Sequence, residues 1–216
     1  MIKIDSTKLF FDKYKYKVDL SNALGHVFRN KNMSFARKSI DSALDQATGN
    51  GFLRIGMRDV RVSQEELKDL QTLLHEFTNQ EEDYKLRCET WHLGIYTNNF
   101  EWVKQLNSKL NAVCSIHMPR DNADLPKGVI INDTIKFSYK VTLNGSADPN
   151  LAGFCLKHKD KIKIGGVVLS DIKGGYNLKG KYMYVKDHAT ITLIRLFLKR
   201  DFMRIDKIVS STELDK

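Results

Sequence analysis

The alternation of hydrophobic and polar residues predicts most of the strands in this chain. Residues 14–20 alternate Tyr, Val and Leu with Lys and Asp, as a strand with one buried face requires. Residues 135–143 show the same alternation over a longer stretch and give the strongest strand signal in the sequence. Further strands are expected at residues 52–62, 84–89, 92–97, 112–118, 161–169, 181–186 and 203–209, with 84–89 and 92–97 paired as a hairpin.

Apolar residues at three- and four-residue steps predict helices between these strands. Ser63 and Glu66 form a capping-box pattern at the start of one helix, which carries a leucine-rich stripe. Asp148 and Asp187 are placed to cap two later helices. The expected helices span about residues 34–48, 63–80, 99–110, 149–158 and 187–201.

The order of these elements indicates an internal repeat. Residues 16–20 read Tyr-Lys-Val-Asp-Leu and residues 139–143 read Tyr-Lys-Val-Thr-Leu, and each is followed by helix, strand, strand, helix and strand. This β-α-β-β-α-β order is that of the ferredoxin-like fold. We therefore predict an α+β protein of two tandem, duplicated ferredoxin-like units, with a helical insertion at about residues 49–83 of the first.

One segment is the best candidate for a linker between the two units. Residues 119–126 hold two of the three prolines, set among polar residues. This places a first domain at residues 1–120 and a second, strongly basic domain at residues 127–216. A chain of 216 residues is long enough for two small domains.

Composition narrows the class of protein. With 42% hydrophobic and 28% charged residues the chain matches ordinary globular proteins, and it has no apolar run long enough to span a bilayer. Its first residues lack the apolar core of a signal peptide, so a cytoplasmic protein is expected. Cys88, Cys114 and Cys155 stand far apart and are interpreted as buried thiols in a reducing compartment. The six histidines show no zinc-ligand spacing, and neither a metal nor another cofactor is expected.

Positive charge is concentrated in the second half of the chain. The whole sequence has a formal net charge of +9, and residues 151–209 contain thirteen Lys or Arg against five Asp. Residues 63–84 run the opposite way, with seven acidic residues and a single Lys. Such asymmetry favours a polyanionic partner, and the alternative is that the lysines only keep a small protein soluble.

Two groups of lysines are the candidate phosphate contacts. Lys13, Lys15 and Lys17 alternate with tyrosines and share one strand face, either to follow a phosphate backbone or to protect a sheet edge from aggregation. The second group runs from a helix end into a strand, and a Gly-Gly pair after it would let a nucleic-acid backbone approach closely. Complementing the dipole of the helix is its competing role. The members of the second group are Lys157, Lys159, Lys161 and Lys163.

Residues 179–185 read Lys-Gly-Lys-Tyr-Met-Tyr-Val and resemble the Lys-Gly-aromatic-x-aromatic signature of RNA-recognition-motif domains. The element order and basicity are also similar to those of the tandem-ferredoxin RNA endonucleases of CRISPR systems. The resemblance implies base stacking on Tyr182 and Tyr184, with Lys179 and Lys181 beside them. Both tyrosines stand one position later than in the signature, which turns their rings to the opposite strand face. This shift favours the competing interpretation that both rings pack beneath the helices.

Three short segments resemble parts of uncharacterised proteins encoded by tailed bacteriophages. They are residues 11–17, 93–98 and 202–208. The resemblance implies an accessory protein in the cytoplasm of an infected bacterium, and it brings no active site with it.

These observations favour a non-enzymatic protein that binds RNA or single-stranded DNA through a basic, aromatic-bearing surface of the second domain. One alternative is a protein-interaction module, either a virion component or an inhibitor of a host enzyme, that uses the acidic helix at residues 63–80. Another is a metal-independent RNA endonuclease, which needs a histidine and several lysines in one cleft. The histidines considered for that role are His26, His117, His158 and His188, and no catalytic residue is assigned.

Overall fold

Each half of the chain forms a five-stranded mixed sheet with helices packed on one face. The computed structural model describes residues 2–50, 52–55, 58–89, 91–120 and 123–214, with the backbone alone within residues 47–61 and at residue 214. The chain divides into two units, residues 1–125 (unit 1) and 126–216 (unit 2). The division falls inside the proline-containing segment at residues 119–126.

Unit 1 combines a five-stranded sheet, a separate two-stranded hairpin and three long helices. The sheet has the strand order β1-β7-β2-β6-β5, and β3 and β4 form the hairpin. A 3-10 helix at Gly25–Phe28 follows β2. In chain order the elements are β1 (Ile2–Asp5), β2 (Tyr16–Ser21), α1 (Met33–Asn50), β3 (Phe52–Ile55), β4 (Arg58–Arg61), α2 (Gln64–Asn79), β5 (Tyr84–Glu89), β6 (His92–Thr97), α3 (Phe100–Lys109) and β7 (Val113–Met118).

Side-chain caps explain where two of these helices begin. Ser63 Oγ accepts a hydrogen bond from the Glu66 amide at 3.1 Å, and Glu66 Oε2 accepts one from the Ser63 amide at 2.8 Å. The capping box predicted at the start of α2 is therefore confirmed. Asn99 Oδ1 accepts a hydrogen bond from the Trp102 amide at 2.8 Å and caps α3 in the same way.

The core of unit 1 lies between its sheet and its helices. Alternate residues of β2 are buried in that core, as the pattern at residues 14–20 predicts. The inserted helix α2 contributes its whole apolar stripe to the same core, so the insertion is part of the fold of unit 1. The buried residues of that stripe are Leu67, Leu70, Leu73, Leu74 and Phe77.

Unit 2 is smaller and has shorter helices around an equivalent sheet. Its strand order is β8-β12-β9-β11-β10. Asp148 Oδ1 accepts a hydrogen bond from the Asn150 amide at 2.8 Å, and Asp187 Oδ1 accepts one from the Thr190 amide at 2.7 Å, at the starts of two helices. In chain order the elements are β8 (Val129–Ile131), β9 (Tyr139–Thr142), α4 (Asn150–Lys157), β10 (Ile162–Ile164), α5 (Gly166–Lys173), β11 (Tyr182–Val185), α6 (His188–Arg195), β12 (Arg204–Val209) and α7 (Ser211–Leu214).

The two sheets share one topology, which confirms the predicted α+β fold of two duplicated ferredoxin-like units. In each unit the four strands of the β-α-β-β-α-β plan lie side by side in the order last, first, third, second. This order is β7-β2-β6-β5 in unit 1 and β12-β9-β11-β10 in unit 2, and neighbouring strands are antiparallel. Each unit also has one strand before the plan, which pairs parallel with the last strand: β1 with β7, and β8 with β12. The insertions differ, because β3, β4 and α2 follow α1 in unit 1, whereas α5 follows β10 in unit 2.

Three predicted elements have different limits in the structure. The single strand predicted at residues 52–62 is a hairpin of two strands. The strand predicted at residues 161–169 ends at Ile164, because Gly165 and Gly166 turn the chain into α5. The helix predicted to reach residue 201 ends at Arg195.

The long strand predicted at residues 135–143 is a strand only over Tyr139–Thr142. Asn132 Oδ1 accepts hydrogen bonds from the amides of Thr134 at 2.9 Å and Ile135 at 3.0 Å. This turn keeps the start of the apolar run out of the ladder, because the Asn132 side chain takes the amide hydrogen bonds that a neighbouring strand would otherwise accept. The strands β1 and β8, only four and three residues long, were outside the predicted set.

The three cysteines are not all buried, contrary to the expectation from the sequence. Cys155 is buried in the core of unit 2, Cys88 is half-buried, and Cys114 is exposed on β7. All three are free thiols. Burial raises the pKa of the Cys155 thiol to about 11 and also raises the pKa of Cys88.

We expect the three thiols to react with a disulfide reagent in the order Cys114, Cys88, Cys155. A thiol with a pKa of about 11 is about one part in a thousand thiolate at pH 8, and burial in the core also blocks access. Time-resolved labelling followed by peptide mass spectrometry measures the order, and labelling in denaturant gives the control in which all three react. Equal native rates for Cys114 and Cys155 would contradict the burial described here.

No helix in the described ranges is both long enough and apolar enough to cross a membrane.

Candidate nucleic-acid interface

The tyrosines of β11 lie on the sheet face that points away from the helices of unit 2. Met183 and Val185 are fully buried in the core of unit 2, and alternate residues of a strand point to opposite faces. Tyr182 and Tyr184 therefore lie on the other face, where Tyr182 keeps 44% of its surface exposed. The interpretation that both rings pack beneath the helices is wrong, because the register of β11 puts its aliphatic residues there instead.

Two lysines flank these tyrosines on the neighbouring strands. Tyr184 is directly opposite Lys163 of β10 on one side and Lys140 of β9 on the other. These three residues form a line across the sheet that we call the Lys-Tyr-Lys row of unit 2. The Lys140 ammonium lies 4.0 Å from the centre of the Tyr182 ring, within the range of a cation-π contact. The Tyr182 and Tyr184 rings meet edge to face, with centroids 5.6 Å apart and an interplanar angle of 73°.

A third cation borders the row on the far side of β9. Arg204 of β12 is opposite Thr142, which is itself opposite Tyr182. Arg204 Nε lies 2.7 Å from Oδ1 of Asp206, a carboxylate that is buried. This ion pair fixes the base of the guanidinium beside the tyrosines. We call Tyr182, Tyr184, Lys140, Lys163, Thr142 and Arg204 the tyrosine face.

The phenol of Tyr184 stays neutral near pH 7. The pKa of Tyr184 is raised, first by burial and then by the neighbouring Tyr182. A phenol whose pKa is above its ordinary value carries no charge at physiological pH. The Tyr184 ring therefore adds apolar, polarisable surface to the tyrosine face without repelling a phosphate.

The predicted basic cluster of α4 and β10 is divided by the fold. Lys163 lies on the tyrosine face, whereas Lys157 ends α4 and Lys159 and Lys161 lie in the turn before β10. All four side chains are exposed. Lys161 also helps to lower the pKa of Asp187, which falls mainly through hydrogen bonds from Thr190.

The two lysines before β11 do not share the tyrosine face. Lys181 forms an ion pair with Asp171 of α5, a helix that packs with α4. Its neighbour Tyr182 points to the other side of the sheet. Lys179 is exposed in the turn that leads into β11, where its amide donates to Asn177 Oδ1 at 2.9 Å.

The lysines predicted as a stripe in the first unit are each paired with a carboxylate. Only Lys17 lies within β2, and its ammonium is 2.7 Å from Asp19 Oδ2. Lys13 pairs with Asp83, which raises the pKa of Lys13 and lowers that of Asp83. Lys15 Nζ lies 2.9 Å from Asp124 Oδ1. The three lysines therefore do not form the open strand face that their alternation predicts.

The acidic helix α2 has two carboxylates inside unit 1. Asp69 accepts a hydrogen bond from the Ala112 amide at 2.7 Å, and Glu76 Oε2 accepts one from the Trp102 indole at 3.0 Å. The apolar stripe of α2 is buried in the core, so it does not supply the exposed apolar patch that a docking helix requires.

The candidate histidines lie in different surroundings. His117 Nε2 is 2.9 Å from Asp19 Oδ2 on the sheet of unit 1, the same carboxylate oxygen that Lys17 contacts. The rings of His158 and His188 pack against Phe154 and Tyr139, at centroid distances of 4.6 and 4.7 Å. Within the described ranges, no group of three or more His, Cys, Asp or Glu side chains is placed to hold a metal ion.

Reasoning from the sequence missed three residues of the tyrosine face, Lys140, Thr142 and Arg204. The internal repeat contained the signal for Lys140, since it occupies the same place in its pentapeptide as Lys17 does in residues 16–20. Arg204 had no comparable signal, because only the antiparallel pairing of β12 with β9 brings it near Tyr182.

Comparison of this chain with known protein families, with curated proteins and with solved structures yields no match.

Proposed function

We propose that this protein binds single-stranded nucleic acid, RNA or DNA, through the tyrosine face of unit 2. The observation that carries the proposal is the half-exposed Tyr182 beside Tyr184, with a lysine on the strand at each side. A base stacks on an aromatic ring whatever its identity, and neighbouring lysines bind the phosphates between bases. The proposal includes the setting implied by the bacteriophage-like segments, an accessory protein in a bacterial cytoplasm, and it assigns no catalytic step.

The geometry favours a single strand over a duplex. Rings that lie on a sheet can stack only on bases that are unpaired and turned outward, whereas the bases of a duplex are stacked on each other. The cations of the tyrosine face lie on β10 at one side of β11 and on β9 and β12 at the other, so they border the rings on both sides. Across the sheet, Tyr184 lies between Lys163 and Lys140, and Asp206 of β12 is opposite Lys140.

Fluorescence anisotropy with labelled single-stranded RNA, single-stranded DNA and duplex DNA tests this proposal at two salt concentrations. We expect both single strands to bind more tightly than the duplex, and binding to weaken as salt rises. Replacing Tyr182 and Tyr184 together with alanine should weaken binding by about 10-fold or more, as expected for the loss of stacked bases.

Tyr176 provides the matched control for the loss of an exposed tyrosine in unit 2. It is 64% exposed, and it lies in the loop between α5 and β11. Tyr176→Ala should leave the affinity within about twofold of the wild type, because the ring is outside the tyrosine face. Loss of binding in Tyr176→Ala without loss in the double variant would reject this face as the interface, and no binding at low salt would reject the function.

A further inference from the structure

The sheet of unit 1 repeats the Lys-Tyr-Lys row of unit 2. Tyr96 of β6 is directly opposite Lys85 of β5 and Lys17 of β2. Those strands are the topological equivalents of β11, β10 and β9, on which Tyr184, Lys163 and Lys140 form the row of unit 2. The units differ two residues before these tyrosines, where unit 1 has Gly94 and unit 2 has Tyr182.

The missing ring is supplied in unit 1 from outside the sheet. A Cβ at Gly94 would lie 3.3 Å from the Tyr96 ring, so Tyr96 leaves little space there for a side chain. Phe11, in the turn before β2, meets Tyr96 edge to face, with centroids 4.8 Å apart and an interplanar angle of 82°. The Lys85 ammonium lies 3.8 Å from the centre of the Phe11 ring. Phe11 is 44% exposed, the same fraction as Tyr182.

The two aromatic groups are therefore built alike. Each has one half-exposed ring and a more buried tyrosine that meets it edge to face. In each, a lysine ammonium lies at about van der Waals distance from the centre of the exposed ring. Phe10 completes the group in unit 1, because its ring packs on Tyr96 at 5.5 Å and leaves that tyrosine only 4% exposed. Within this group of three rings, Phe11 is the exposed one.

The backbone that presents Phe11 is in an unfavourable conformation. Phe11 and Asp12 have φ values of 53° and 55°, in the left-handed region that side chains other than Gly, Asn and Asp seldom adopt. Full burial of the Phe11 ring would offset this backbone strain, but the ring remains half-exposed beside Lys85. Strained backbone of this kind is common at binding sites, where it holds a side chain toward a ligand.

We infer that Phe11, Lys85 and Tyr96 form a second stacking site for single-stranded nucleic acid on unit 1. A base stacks on the open side of Phe11 and an adjacent phosphate binds Lys85. Arg87 lies on the same strand face, where its Nε is 2.7 Å from Glu89 Oε1. This inference rests on the proposed function in unit 2 for the class of ligand, and the two sites are separable by substitution.

Titration calorimetry with a single-stranded RNA short enough for one site tests the inference. We expect two RNA molecules to bind the wild type, one to bind Tyr182→Ala/Tyr184→Ala, and none to bind when Phe11→Gly is added. Glycine at position 11 removes the ring but adopts a φ of 53° without strain, so the turn is retained. Phe11→Tyr should restore the second site, since it keeps a ring in place.

Phe35 is the matched control, because it is a 58% exposed phenylalanine of unit 1 on α1. Phe35→Ala should leave the stoichiometry at two. A wild-type stoichiometry of one that Tyr182→Ala/Tyr184→Ala abolishes would overturn the second site and keep the proposed function. Binding that only Phe11→Gly removes would keep the second site and reject the tyrosine face.

Discussion

Replacing Lys140 and Lys163 together with glutamine is expected to weaken binding of single-stranded RNA by about 10-fold or more at low salt. It should also make the logarithm of the affinity less dependent on the logarithm of salt concentration, with the slope reduced by about 1.4 for two lost phosphate contacts. Both lysines lie opposite Tyr184, so their charges flank the proposed path of the strand. Anisotropy titrations over a series of salt concentrations measure both quantities.

The same change in net charge elsewhere in unit 2 gives the control. Lys157→Gln with Lys161→Gln also removes two exposed positive charges, at the end of α4 and in the turn before β10. If affinity came from overall basicity, both double variants would lose it equally, because diffuse electrostatic attraction depends on total charge. If the tyrosine face is the interface, the control variant should lose less than about threefold and keep its salt slope. Equal losses would mean that the lysine excess acts without a defined site.

The sequence specified the elements of this fold better than it specified their faces. Local signals were sufficient for the capping box at Ser63 and the cap at Asp187, because each involves residues within four positions of each other. The cap predicted at Asp148 is wrong by one residue, since Pro149 is the N-cap of α4 and has no capping side chain. The order of strands and helices then predicted the ferredoxin-like units, since few topologies accommodate a β-α-β-β-α-β order. These parts of the fold depend on local sequence and on general rules of connection.

The errors arose where a tertiary partner decides the outcome. Val167 and Val168 are β-branched and Leu169 is apolar, which suits a strand, yet all three lie in α5 because the glycines at 165 and 166 end the ladder. The face of Tyr182 and Tyr184 depended on the register of β11 against β9, and a shift of one residue reverses it. The motif alone could not fix that register, whereas Val141 opposite Met183 in the core does.

The candidate site was predictable only in part for the same reason. Lys163, Tyr182 and Tyr184 were named from the sequence, but the ladder brings them together with Lys140. Lys13 and Lys15 showed the same alternation as Lys17, and the structure pairs them with acidic residues about 70 and 109 positions away. Sequence spacing cannot show such long-range partners, because they depend on how the chain returns to the strand.

Glu76→Ala is expected to destabilise unit 1 by about 2–4 kcal/mol, the cost of leaving a buried donor without its charged acceptor. Glu76 is a buried carboxylate of the acidic helix α2, and its two oxygens accept from Trp102 Nε1 at 3.0 Å and from Lys109 Nζ at 2.6 Å. Both donors belong to α3, so this carboxylate joins the inserted helix to the ferredoxin-like unit. Trp102 is itself buried, so the substitution removes the acceptor of a buried indole N–H.

Urea denaturation followed by tryptophan fluorescence measures this effect in unit 1 alone, because Trp91 and Trp102 are the two tryptophans of the chain and both precede residue 126. Glu76→Gln should lose less stability, since its amide oxygen still accepts from Trp102. Glu81→Ala, which removes an exposed acid just after α2, should change the stability by less than about 0.5 kcal/mol. Equal effects of Glu76→Ala and Glu81→Ala would show that α2 contributes charge alone. A much larger loss of stability in Glu76→Ala would show that the Glu76 carboxylate holds the inserted helix against α3. A docking role for α2 would then depend on its exposed carboxylates.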